Sequence, residues 1–209
     1  MLYYKCQEGW ETLKNHPIDR AGDLKHRPIS GGAPKNAFFI SMQNSFKENV
    51  RQQLLVAAQE YFALLNKIII IESNDFTYQK RYLIKFNKSN FLHLTGVISN
   101  LNAGDFFSKC YDSSITIDDF DYDEVKNKTN IKNKLRCLIT ISNMFDEELL
   151  AQEQFVKNRV ICKLATSDGS FTIGFTGGAY YVYPKTVLNK NHLNEEQPII
   201  RVRPSYKMV

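Results

Sequence analysis

The stretch RYLIKFNKSNFLHLTGV, residues 81 to 97, decides how this chain is read. Tyr82, Ile84 and Phe86 alternate with Arg81, Leu83 and Lys85, the period-2 pattern of a half-buried strand. The alternation then stops. From Asn90 to Gly96 apolar residues crowd around one imidazole, His93, and one hydroxyl, Thr95, where the strand is expected to give way to a glycine-containing turn. A rigid strand that delivers polar tips to a turn is a common foundation for a site.

Working outward, Lys67 to Ile71 is a β-branched run with no helical polarity, predicting a strand buried on both faces. Before it, Ser45 and Glu48 read as a capping box. Phe46, Val50, Leu54, Ala57, Tyr61 and Leu64 then recur at three- and four-residue steps, predicting an amphipathic helix over 45–65. After residue 97 a short helix is predicted over 103–111, with Phe106, Phe107 and Cys110 facing inward. Five carboxylates between Asp118 and Glu124 lack the alternation and central glycine of a calcium loop. They are read as a solvated turn that starts a helix running to about Phe145.

The last third reads as a β-meander. Arg159 to Ala165, Ser170 to Phe175 and residues 179 to 183 alternate, with turns at Asp168-Gly169 and Gly177-Gly178, and Pro184 is expected to end the third strand. Residues 199 to 203 add an edge strand with Arg201 and Arg203 on one side. The fold class expected is α+β: a mostly antiparallel sheet of five or six strands with helices packed on one face.

A chain of 209 residues, 43% apolar and 23% charged, can bury one full core. The expected organisation is a single domain over 45–209 preceded by an irregular basic and aromatic arm over 1–44. Within that arm Ser30-Gly31-Gly32-Ala33-Pro34 follows no strand and ends in no Gly-Lys-Ser, so it reads as a loop rather than a phosphate cradle. His16 and His26 read as loop histidines. No run is long enough to span a bilayer, and residues 1–10 lack the pattern of a secretion signal, which points to the cytosol of the cell that makes the chain. The four cysteines share no short spacing, so neither zinc nor a disulfide framework is expected, and they read as reduced and mostly core. From Lys157 onward there are eight Lys and Arg against three acids, which equals the whole net charge of +5. A positive C-terminal region favours a polyanionic partner; solvated lysines on strands and loops would look the same.

LIKFNKSNFLHLTGV, the FF helix at Gly104-Asp105-Phe106-Phe107, the lysine-rich segment ending KLRCLITI, FTIGF and VYPKTVL together resemble a phage-borne nuclease family related to barnase, EndoU, the tRNA-cleaving colicins and RelE. The resemblance runs from Asn44 to Asn189, and its sharpest motif is HLTG with FF downstream. It implies a barnase- or RelE-like fold and metal-independent cleavage of RNA, tRNA being one target class, with the histidine and threonine of HLTG as site residues. The protein would then be an effector of a phage or mobile element acting in the host cytosol.

Such cleavage needs a group to take the 2′-hydroxyl proton, a donor for the leaving oxygen and fixed positive charge for the phosphorane. His93 is the candidate acid or base, Thr95 would orient it or the phosphate, and Lys85 and Lys134 would stabilise charge. Substrate-binding candidates are Lys88, Asn90, Ser170, Thr172, Tyr183, Lys185, Arg201 and Arg203, with a groove above the small polar strip Ser170, Thr172 and Gly174. Neither metal nor cofactor is called for. Plainer readings stand beside these: His93, flanked by Phe91, Leu92 and Leu94, also suits a hydrogen-bonded core residue, and Lys134, at the edge of a buried stripe, also suits a snorkelling lysine. Two other functions stay open: an inactive binding module that docks on nucleic acid or on an acidic host protein of a defence system, and a small-nucleotide transferase. Oligomeric state is not legible.

Overall fold

The computed structural model describes residues 35–123, 127–157, 159–178, 180–194 and 197–208, and side chains from residue 44 onward. The loop readings of His16, His26 and residues 30–34 lie outside the described residues.

Helix α1 spans Lys35–Leu65, so it begins ten residues before the expected start at Ser45. Glu48 is not a cap. Its carboxylate accepts from Arg51 (2.7 Å) and Gln52 (2.9 Å) along the helix surface, which holds it well down, at about 2. Val50, Leu54, Ala57, Ala58, Tyr61 and Leu64 form the buried stripe of α1.

Strands β1 (Lys67–Glu72) and β2 (Arg81–Lys85) follow, then helix α2 (Lys88–Thr95). The segment expected to be a glycine turn is therefore a helix, closed by Gly96 at φ 78° as a left-handed C-cap. Helix α3 (Ala103–Tyr111) forms where predicted, with the Asn102 side chain accepting from the Asp105 N–H at 2.9 Å. The long helix expected to reach Phe145 divides into α4 (Lys128–Leu138) and a 3-10 turn, Ile141–Phe145.

The remaining strands are β3 (Leu149–Glu153), β4 (Val156–Lys157), β5 (Val160–Ile161), β6 (Leu164–Ser167), β7 (Phe171–Gly177), β8 (Tyr181–Asn189), β9 (Ile200–Val202) and β10 (Ser205–Met208). One eight-stranded sheet runs β10-β1-β2-β8-β7-β6-β3-β9, antiparallel except for the β2–β8 pair, while β4 and β5 form a separate ribbon. The α+β class and the mostly antiparallel sheet stand. Among the described residues the sheet has eight strands, not five or six, because β3 carries no alternation of its own and β10 is only four exposed residues long. Pro184 does not end β8: a register shift opposite Gly174 and Phe175 absorbs it, with Phe175 facing Pro184 and Gly174 facing Thr186.

Topology forces the sheet to curl. Its outer strands, β9 and β10, lie at opposite edges yet are joined only by Arg203 and Pro204. Laid flat, eight strands would separate those edges by roughly 34 Å at ~4.8 Å per strand, whereas the link reaches about 11 Å fully extended. The concave side is the side that holds the core. Tyr82 on β2 donates its hydroxyl to the Glu153 carboxylate on β3, four positions away in the sheet, which only a sheet bent toward that face allows.

The apolar residues of the helices fill that concavity. Tyr61 of α1 meets Phe86 and Phe91 edge-on and donates to the Asn87 carbonyl (2.9 Å), while Phe86 also meets Phe145 and Phe175. Phe171, Ile173 and Phe175 line the same core. Arg81, Leu83 and Lys85 therefore point to the outer, convex face, with Thr172 and Gly174 of β7. Part of that outer face is covered: Phe155, Cys162 and Ala165 pack together there with Val160, Leu188 and Leu193.

Candidate functional site

Helix α2 turns Phe91, Leu94 and Thr95 into the core. At helical spacing this leaves His93 on the opposite side, and its imidazole is exposed. The core-histidine reading falls with the strand-and-turn reading that made it plausible. His93 lies in the last turn of α2, one turn before Gly96.

Gly96 is where a second candidate arrives. A Cβ built at Gly96 would stand 3.1 Å from Lys134 Cδ and 3.7 Å from Lys134 Cε, so the lysine stem of α4 lies along the bare backbone of this glycine. Only glycine supplies both the left-handed φ and the room. Lys134 is half-buried and its ammonium has no hydrogen bond or ion pair among the described residues. Burial holds its pKa below the ordinary lysine value. Its ammonium is partly withdrawn from water rather than carried out to it as a snorkelling lysine's would be, and among the described residues no carboxylate meets its tip.

Thr95 does not face this site. It is fully buried, donating to the Leu92 carbonyl (2.7 Å) and accepting from the Val97 N–H (3.2 Å), and it secures the helix end rather than a ligand. Asn90 is half-buried, and its side-chain oxygen accepts from the Asn87 N–H (3.2 Å) at the start of α2. Lys88 is exposed on the first turn, its ammonium 6.0 Å from the Phe107 ring centre.

Lys85 belongs elsewhere. It projects from the outer face of β2, with its ammonium 5.7 Å from the centre of the Tyr181 ring on β8. Tyr183 shares that face, two residues beyond Tyr181, and Lys185 donates to the Ile161 carbonyl of the ribbon (3.2 Å). The candidates thus divide between the α2–α4 junction, with His93 and Lys134, the first turn of α2, with Lys88 beside α3, and the outer sheet face, with Lys85, Tyr183 and Lys185. The pairing of Tyr181 with Lys85 depends on the parallel β2–β8 contact, which no local pattern announces.

The groove expected above Ser170, Thr172 and Gly174 is filled. Thr172 is fully buried, donating to the Lys190 carbonyl (3.1 Å) and accepting from the His192 N–H (2.8 Å). A Cβ at Gly174 would meet Cys162 Sγ at 2.5 Å. Ser170 is exposed and borders a groove of about 390 Å³ floored by Cys137 and Phe171, with Arg136, Asn143 and Asn189 among its walls. Arg201 is exposed and paired with Glu148 (3.4 Å), and Arg203 is exposed.

The acidic turn behaves as a structural turn. Asp119 accepts from Lys109 (2.8 Å) and from the Thr116 N–H (2.7 Å), which lowers its pKa, and Asp121 pairs with Lys47 (3.4 Å). Among the described residues no group of three His, Cys, Asp or Glu converges as metal ligands would, and no helix is long and apolar enough to cross a membrane. Cys110, Cys137 and Cys162 are free and buried.

No curated protein and no solved structure matches the chain. One protein-family model does, over residues 53–199; its description is phage-Barnase-EndoU-ColicinE5/D-RelE like nuclease4.

Proposed function

Because this chain belongs to the phage-barnase-EndoU-colicin-RelE-like nucleases, we propose that it is an endoribonuclease that cleaves RNA by general acid–base chemistry without a metal ion. The observation that carries the reading is the junction of α2 and α4, where an exposed imidazole stands one turn before a glycine flanked by a half-buried lysine with no ion pair among the described residues. Perturbed, unpartnered cations of this kind concentrate at functional sites.

In the reaction, a base removes the proton from the ribose 2′-hydroxyl and the 2′-oxygen attacks the adjacent phosphorus. The bond from phosphorus to the 5′-oxygen breaks, and that oxygen takes up a proton. The products are a 2′,3′-cyclic phosphate and a 5′-hydroxyl. His93 is the group suited to moving a proton near neutral pH. Lys134 supplies fixed positive charge to the phosphorane, and Lys88, on the first turn of the same helix, is suited to holding a neighbouring phosphate.

A second reading, an inactive binding module of the same fold, is favoured by one observation: Thr95, the other half of the HLTG pair, is engaged entirely within its own helix end. Incubation of total RNA with the protein in EDTA separates the two. Fragments ending in cyclic phosphate with wild type, and none with His93→Ala, support cleavage. Intact RNA with folded wild type, at any protein concentration that binds it, overturns cleavage and leaves the binding module.

A further inference from the structure

We propose that the open part of the convex sheet face is a docking platform for a single-stranded polynucleotide, separate from the α2–α4 junction. The proposal extends the nuclease reading by naming where the strand is held, and it does not require cleavage.

Strand pairing specifies which side chains share this face. Ile68 and Ile70 of β1 lie opposite Lys207 and Ser205 of β10 on one side, and opposite Lys85 and Leu83 of β2 on the other. Leu83 in turn lies beside Tyr181 of β8, with Tyr183 next along the same face. Ile70, Leu83, Tyr181 and Tyr183 all remain partly exposed, so this stretch is open among the described residues, unlike the neighbouring stretch under the β4–β5 ribbon. Its floor is aliphatic and aromatic, and its cations stand around that floor.

Among the described residues, the charge on this face that is not in an ion pair is of one sign. Lys85 and Lys207 stand on the open rows, and Lys163 and Lys185 reach the same side, donating to the Gly178 (3.1 Å) and Ile161 (3.2 Å) carbonyls. None of the four forms an ion pair among the described residues, and the one carboxylate in these rows, Glu72, is paired with Arg81 (2.8 Å). A surface that offers two tyrosines about 7 Å apart along one strand, with lysines around them that form no ion pair among the described residues, matches a chain of stacking bases joined by phosphates. A duplex hides its base faces, and an acidic peptide supplies charge but nothing for the rings to stack on.

The test is fluorescence anisotropy with a labelled single-stranded oligodeoxynucleotide, which has no 2′-hydroxyl to cleave, and with its RNA counterpart in EDTA. The expected result is salt-sensitive binding of both, weakened at least about tenfold in the Tyr181→Ala/Tyr183→Ala double variant. Because those rings are half-buried, Lys85→Ala and Lys207→Ala serve as a second, surface pair, each reducing the salt slope by about 0.7. Equal affinity in wild type and both sets of variants overturns the platform, as does equally effective competition by duplex or by polyglutamate. Binding lost in these variants while no protein cleaves RNA removes the nuclease reading alone. Cleavage that depends on His93 while binding ignores the sheet variants removes the platform alone.

Discussion

A lysine ammonium drawn out of water without gaining a partner opposes folding, and among the described residues Lys134 is in that position. Its pKa in the folded chain lies below the ordinary value of ~10.4 that it recovers on unfolding. Below both values each state is fully protonated and the whole penalty applies. Between them the unfolded chain binds more protons, so stability rises with pH through that window. Lys134→Met keeps a stem along Gly96 and deletes the charge. The variant is expected to be more stable than wild type by about 1 kcal/mol at pH 7, with the advantage shrinking as pH approaches ~10, and to lose RNA cleavage. Denaturant titrations at a series of pH values check this. A variant that is less stable than wild type at pH 7 would mean that the ammonium has a stabilising role.

At the level of elements, α2 is the piece whose reading matters most. Its eight residues are too short for periodicity to declare a helix, and the alternation of the preceding strand carries the eye past its start. The signals present were at its ends, Asn87 before it and Gly96 after it, the pairing of a polar N-cap with a C-terminal glycine. Gly96 also joins α2 to α4, so its substitution has two separable effects. An alanine there costs about 1–2 kcal/mol for a left-handed φ and pushes on the Lys134 stem. Gly169, at φ 95° with nothing near its missing Cβ, carries the backbone cost alone. Gly96→Ala and Gly169→Ala are therefore expected to lose similar stability by thermal unfolding, while RNA cleavage falls much further in Gly96→Ala than the stability loss explains. Equal activity in Gly96→Ala and wild type would separate Lys134 from the chemistry. The motif thus announced His93, and a stripe edge announced Lys134, but the approach of the Lys134 stem to Gly96 belongs to helix packing, which is not written in local spacing.

At the scale of the whole molecule, what could be read early was what each segment declares alone: the isoleucine run of β1, the capped FF helix and the turns of the C-terminal meander. The closure of the sheet was not legible, because it depends on strands that only a partner defines. Residues Ser205–Met208 are all exposed and become β10 because β1 offers an edge. Leu149–Glu153 follows three acids and lies beyond the helix expected to end near Phe145, with no pattern to claim it for a strand, yet as β3 it carries the residue that ties the curl together. Glu153 is 7% exposed, and its carboxylate accepts from the N–H groups of Thr77 (2.6 Å), Tyr78 (3.2 Å) and Gln79 (3.2 Å) as well as from the Tyr82 hydroxyl, whose own ionisation burial and this charge push upward. One side chain thus satisfies three successive amides of the β1–β2 loop from the far side of the sheet. Glu153→Ala takes the acceptor from three part-buried amides and from the buried Tyr82 hydroxyl, so it is expected to cost about 1–3 kcal/mol, whereas Glu153→Gln keeps an acceptor and loses less. Hydrogen exchange gives the specific readout: the amides of residues 77 to 79 should lose protection far more than those of β7, which lies between the two tied strands. If exchange at 77 to 79 stays as slow in Glu153→Ala as in wild type, the curl is held by packing alone and the carboxylate is incidental to it.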